Sequence, residues 1–345
     1  MIKTDNKLPV LYLLRAVAAL SVCFYHFVCS YGLINNPLAT KVFAYGAYGV
    51  DMFFVISGFI IPWSMYYSGY KFKNFFQFLF KRLARLEPPY IASMVLAILA
   101  SIVAQQYVMH SSHIILNPTQ IALHFGYLIP FFKKYHWLVG VYWTLAIEFQ
   151  YYLLMALTFS WVVKSNLWGR IFFYVSIMGF TLIMDRIEFG RILPMGIVAW
   201  SNFLPHYLPI FLVGIVLFLK KSDRISMKEY ACVTFLLFVY SILIYGYGRM
   251  VCIFTPVFFI LFFQDLKFRI LSFFGEISYS IYLMHDIAGN LFINLVTPQA
   301  SSHITKVLVI IGAFAVSTVS AYLLYLIVEN PSKRFSGNIK YANAK

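Results

Sequence analysis

Apolar runs long enough to cross a bilayer recur from one end of this chain to the other. A membrane-crossing helix needs about 20 mostly apolar residues, because hydrocarbon offers no water to the backbone N–H and C=O groups. Such runs fall at 8–30, 44–65, 88–108, 138–163, 169–184, 205–220, 229–246, 249–264, 274–297 and 304–328. The pattern predicts an all-α, polytopic helical bundle of about 10 transmembrane helices. A transmembrane β-barrel would show alternating segments of about ten residues, and none is visible. Charged residues make up only 11% of the chain, against about 25% in a soluble domain. No linker, low-complexity tract or repeat divides the sequence, so one membrane domain over 1–345 is expected.

The formal net charge of +15 would suggest nucleic acid in a soluble protein. Here the Lys and Arg residues gather in alternate connections. With the N-terminus inside, 19 of the 27 lie in inner segments and seven outside, while Arg15 falls within the first helix. That bias places both termini in the cytoplasm and predicts no nucleic-acid partner. All four cysteines lie in apolar runs, which suits neither a disulfide framework nor a zinc site. The first run follows Lys3 and Lys7 as a signal peptide would, but it contains Arg15 and no small-x-small cleavage site, so it reads as an uncleaved helix. The longest outer loop, 109–137, holds His110, His113, His124 and His136. The 110–113 pair lacks a carboxylate or cysteine to complete a metal site, and a solvated loop is the better reading. No metal is expected.

Charges kept inside hydrocarbon point to function, since each costs a few kcal/mol at least. Arg15 and His26 are eleven residues apart. They therefore share nearly one helix face, about 16 Å apart along the axis. The alternative is that Arg15 snorkels to the inner surface and His26 is a packing residue. Asp51, near the outer end of the second run, could meet and orient His26, or it could cap its own helix. Arg82 and Arg85 in FKRLARLEPPY share a face just before the third run. Two guanidiniums there suit a phosphate or pyrophosphate, or serve as an ordinary anchor to anionic lipid. Glu148 lies near mid-membrane, with Thr144, Tyr151 and Tyr152 within one turn. A carboxylate at that depth is protonated, paired with a cation such as Arg15, or facing water. Ser278, Tyr282 and His285, at spacings of four and three, form one polar stripe; Asp286 is a quarter-turn away. Ser57 and Gly58 read as a tight helix contact, Glu329 as interfacial, and Pro331 as the end of the last helix.

These stretches, in this order, resemble the acyltransferase 3 family of integral-membrane O-acyltransferases. The Arg-x10-His of Arg15 and His26 is that family's signature. FFVISGF, RLARLEP, WTLAIE and ISYSIYLMH are similar to its other blocks, over about residues 8–335. Glu87 and Asp286 depart from the usual pattern. The resemblance implies an acyl-CoA donor reached from the cytoplasm and an acceptor hydroxyl outside. Members of this length often acetylate O-antigen or exopolysaccharide sugars in bacteria. The expectation is therefore an inner-membrane O-acetyltransferase with acetyl-CoA as co-substrate, no permanently bound cofactor and a lipid-linked polysaccharide as acceptor. Arg15, Arg82 and Arg85 would bind the donor. His26 would act as general base, oriented by Asp51, with Glu148 holding the acceptor or stabilising the oxyanion. Ser278, Tyr282 and His285 would hold the acceptor or the oxyanion. Direct transfer and an acyl-histidine intermediate both remain open. The alternative is a transporter of an acyl group, an anion or a lipid-linked sugar, which intramembrane charges also fit. The two halves show no repeat of the kind many transporters have.

Overall fold

The computed structural model describes residues 8–30, 32–34, 36–109, 117–186, 203–299 and 302–341. Among these residues the chain is helical throughout, with no strand. Eight helices are long and apolar enough to cross a membrane: Val10–Ser30, Pro37–Tyr67, Phe72–Tyr107, Gly140–Lys164, Leu167–Met184, Leu204–Lys221, Met227–Tyr245 and His303–Asn338. The other two expected spans take different forms. One is a shorter apolar helix, Tyr247–Phe262. The other is broken into pieces between Arg269 and Val296.

The elements that build the site are α1 (Val10–Tyr25), α2 (Pro37–Ala44), α3 (Gly49–Tyr67) and α4 (Phe75–Ala104). They are followed by α5 (Pro118–Phe125), α6 (Trp143–Lys164), α7 (Leu167–Arg186), α8 (Leu204–Lys221), α9 (Met227–Tyr245) and α10 (Tyr247–Phe262). The broken span comprises α11 (Arg269–Glu276), α12 (Ser278–Met284) and α13 (Asn290–Val296). The last helix is α14 (His303–Leu324), continued by α15 (Asn330–Asn338).

At the centre, α8 is apolar all round and every residue from Leu208 to Leu219 is buried. A helix without a polar face has to be enclosed. It lies against α3, and two glycines allow the approach. A Cβ on Gly58 would collide with the Phe211 carbonyl, and one on Gly214 with the Val55 carbonyl. The tight contact expected at Gly58 is therefore present, whereas Ser57 turns its hydroxyl elsewhere. In the same way α11 crosses α1 with Gly275 against the Tyr12 carbonyl.

Two expected helix limits are corrected. The third span begins at Phe75, thirteen residues before the expected start, and carries Pro88 and Pro89 inside it. Proline removes backbone hydrogen bonds but does not forbid a helix that tertiary packing holds. Arg82 and Arg85 thus sit within α4, not in a connection ahead of it. Pro331 likewise does not end the last helix. A wide π turn, Tyr325–Glu329, precedes it, and the helix continues through Pro331 into α15.

Candidate functional site

A cavity of about 370 Å³ opens between α1, α3, α4, α6, the α11–α12 pair and the start of α15. Arg15, Arg82, Arg85 and Lys333 bring four cations to its wall, and Glu148, Glu276 and Glu329 bring three carboxylates. The carboxylates turn mainly to hydroxyls. Glu148 accepts hydrogen bonds from Ser57 Oγ at 3.0 Å and from the Tyr152 hydroxyl at 2.6 Å. Glu329 accepts from the Ser280 amide at 3.2 Å and Ser280 Oγ at 2.6 Å. Glu276 accepts from the Tyr325 hydroxyl at 2.8 Å and stands 4.0 Å from Lys333 Nζ. Glu329 is buried, not interfacial as its sequence position suggested.

Among the described residues, none of the three cavity arginines has a carboxylate within ion-pair distance. Arg15 Nε donates to Ser278 Oγ at 3.1 Å, and that hydroxyl donates on to the Gly275 carbonyl. The guanidinium of Arg82 lies over the rings of Phe78 and Tyr152, and its Nε is buried with no hydrogen-bond partner among the described residues. Leaving buried donors of a cation unpaired is costly. An anion entering the cavity would recover that loss, and a planar guanidinium matches a phosphate in bidentate fashion.

The cavity ends at Val50, Phe53, Thr144 and Tyr282. The Tyr282 hydroxyl lies 2.9 Å from Thr144 Oγ1 and 3.3 Å from the Val141 carbonyl. His285 lies three residues further on, just past α12, and His26 follows α1 in the first span; neither lines the cavity. Their rings face each other with centroids 5.2 Å apart. His285 is fully buried, with Nδ1 3.1 Å from the Ile281 carbonyl. A carbonyl only accepts, so Nδ1 carries the proton and Nε2 presents a lone pair. Nε2 has no hydrogen-bond partner among the described residues. His26 is half-buried, with Nδ1 3.5 Å from Ser30 Oγ. Asp286 follows His285 in the same wide turn and accepts a hydrogen bond from the Asn290 side chain. Both histidines open a π turn, His26–Ser30 in the first span and His285–Gly289 after α12. Such wide turns are frequent at functional sites.

The structure thus brings Arg15, Arg82, Arg85, Glu148, Ser278 and Tyr282 to one cavity, and His26 and His285 to one pair beyond it. It does not bring Asp51 to His26. Both Asp51 carboxylate oxygens are taken by Arg249 of α10. Asp51 has the depth for His26 but faces the α10 side of α3. Glu148 is joined by Tyr152 as expected, but Thr144 bonds Val141 and Tyr282 instead, and Tyr151 reaches the Gly58 carbonyl. Lys333 and Glu276 were missed as cavity residues; the cue available for Lys333 was its place in the charged block after the last apolar run, and for Glu276 its place as a carboxylate within the apolar run 274–297.

Of the loop histidines, His110 and His113 lie outside the described residues. His124 is buried and bridges backbone groups, with Nδ1 2.7 Å from the Gln120 carbonyl and Nε2 accepting from the Leu138 amide at 3.0 Å. Among the described residues no three His, Cys, Asp or Glu side chains gather as metal ligands would.

A family model described as an acyltransferase domain, Acyl_transf_3, matches residues 10–326. No curated protein and no solved structure matches the chain.

Proposed function

The chain belongs to the acyltransferase 3 family, and from that premise we propose that it moves an acetyl group from cytoplasmic acetyl-CoA to a sugar hydroxyl of a lipid-linked surface polysaccharide such as O-antigen. The membrane would be the inner membrane of a bacterium, with the cation-rich end of the bundle in the cytoplasm. The observation that carries this reading is the cavity of four cations, whose three arginines form no ion pair with a carboxylate among the described residues. Coenzyme A supplies a diphosphate and a further phosphate at one end and a slender thioester arm at the other. Arg82, Arg85 and Lys333 would hold the phosphates, with Arg15 deeper in. The arm would then run along the Ser278–Tyr282 stripe towards His26, a distance of about 16 Å along the first helix.

At that point the acceptor hydroxyl oxygen attacks the thioester carbon. His26 takes the hydroxyl proton, a new C–O bond forms, the C–S bond breaks and the CoA thiolate departs. General-base help of this kind is worth roughly 10²–10⁴-fold. Asp286, next to His285 in the chain, would steady the imidazolium that forms, since both Asp51 oxygens are taken by Arg249. Glu148 would act on the donor side, where it shares the cavity wall with Ser57 and Tyr152.

The test uses membranes carrying wild type or His26→Ala at matched expression, supplied with radiolabelled acetyl-CoA. Label entering the surface glycolipid fraction in wild type, and not in the variant, is the expected result. Equal transfer by both would remove His26 from the chemistry. Binding of a lipid-linked sugar with no affinity for CoA would favour a transporter instead.

A further inference from the structure

We infer that Tyr282, held by Thr144, is the partition between the donor cavity and the histidine pair, and that its ring sets the length of acyl group that can pass. The inference rests on the acyl-transfer reading above.

The polar stripe of α12 maps the path. Ser278 touches Arg15 within the cavity. Tyr282, one turn on, lines the cavity's inner end. His285, less than a turn further, is beyond the end and buried from it. A thioester held by the cations therefore cannot meet His26 or His285 while the Tyr282 ring stands between them. The ring is flanked on one side by Phe53, with centroids 6.0 Å apart, and on the other by His285 at 5.7 Å.

The partition is built to open. One side-chain hydrogen bond to Thr144 and a longer one to the Val141 carbonyl hold the phenol in place. The helix carrying it is only seven residues long, interrupted at Ile277 on one side and followed by the His285–Gly289 π turn on the other. Interruptions of this kind let a short segment rotate without breaking a long hydrogen-bond ladder. Swinging the ring aside would release a space bounded by Val50, Phe53 and Thr144. All three walls are side chains fixed on long helices, so the ring is the variable part. A short acyl group fits past a tilted ring, whereas each added methylene competes with it for the same volume. The same ring shields the thioester from water entering along the histidine side.

The experiment measures two quantities for the purified full chain in lipid: acceptor-free hydrolysis of acetyl-CoA, and the kcat/KM ratio for butyryl-CoA over acetyl-CoA with the glycolipid acceptor. One methylene in an apolar pocket is worth about 10–200-fold in discrimination. Tyr282→Ala is expected to raise the butyryl-to-acetyl ratio by about tenfold or more and to raise hydrolysis. Tyr282→Phe and Thr144→Val keep the ring but loosen it, so hydrolysis should rise while the ratio stays near wild type. If Tyr282→Ala does not accumulate as folded protein, Tyr282→Leu fills more of the space and still shortens the side chain. An unchanged ratio in a folded Ala or Leu variant, with wild type active, would overturn the partition alone. A wild type that transfers no acyl group from any acyl-CoA would overturn the underlying reading, and the partition with it.

Discussion

Asp51 and Arg249 meet between α3 and α10 through two parallel hydrogen bonds, Nε to Oδ2 at 2.8 Å and Nη2 to Oδ1 at 2.9 Å. The guanidinium also lies over the rings of Tyr48, Tyr207 and Tyr245. The pair is structural by its geometry, since both carboxylate oxygens are used and the imidazole of His26 is not among their partners. Removing one member of a buried pair leaves an uncompensated charge and costs about 3–5 kcal/mol. Asp51→Ala should therefore lose thermal stability in detergent, and a doubly apolar pair, Asp51→Leu with Arg249→Met, should regain much of it. Transfer per folded molecule should fall less than about tenfold in either; a loss of 10²-fold or more would restore Asp51 to the chemistry.

The cavity cations should separate by how they are held. Arg82 lies over two rings and has an unpaired buried Nε, so Arg82→Gln should raise the KM for acetyl-CoA by about 10–100-fold, equivalent to the 1.5–3 kcal/mol of a charged hydrogen bond. Arg82→Lys should recover little, because an ammonium reproduces neither the planar fork nor the stacking. Lys333 is 35% exposed and only loosely paired, so Lys333→Gln should cost a few-fold at most. Competition by free CoA gives the same ranking if the effect is on donor binding.

Glu148 is held by two hydroxyl donors that an amide oxygen could also satisfy. Glu148→Gln therefore preserves the local hydrogen bonds while removing the charge. If the carboxylate balances the cations around the donor, transfer should drop by about tenfold or more, with a smaller effect from Tyr152→Phe, which leaves the charge in place. Undiminished acetylation of the sugar by Glu148→Gln would take this residue out of the mechanism.

Much of this arrangement could be read from spacing, and the limits of that reading have a physical pattern. Ser278 and Tyr282 fall on one face because the helical period puts them there, and both line the cavity, whereas His285 lies outside its lining. Arg15 lines the cavity, and His26, further along the same span, lies outside its lining. Spacing failed where the partner came from another helix. Asp51 sits at a depth that suits either His26 or Arg249, and depth says nothing about which way a side chain faces. Pro88, Pro89 and Pro331 read as helix limits because proline loses a donor and crowds the preceding turn, yet neighbouring helices and a π turn accommodate them. The four π turns among the described residues, two of which begin at the histidines, have no composition that marks them.

His124 provides a test of how the outer loop is fastened. Its ring accepts the Leu138 amide at Nε2 and donates to the Gln120 carbonyl from Nδ1, a pattern only the neutral imidazole can make. Burial lowers its pKa from the ordinary value of 6.5. The unfolded or undocked loop therefore binds more protons than the docked one as pH falls below that value. Stability is full above the undocked pKa and is lost progressively as pH drops towards the docked one. Segment 117–142 leads directly into α6, so loosening it disturbs the helix start that carries Thr144. Between pH 7.5 and 5.5, protection of the Leu138 amide, measured against its intrinsic exchange rate, should fall in wild type. In His124→Gln, whose side chain does not titrate, exchange should be faster at pH 7.5 and should lose the extra pH dependence once corrected for the intrinsic rate. A wild-type profile that follows the intrinsic rate throughout would show that the His124 bridge does not hold the loop.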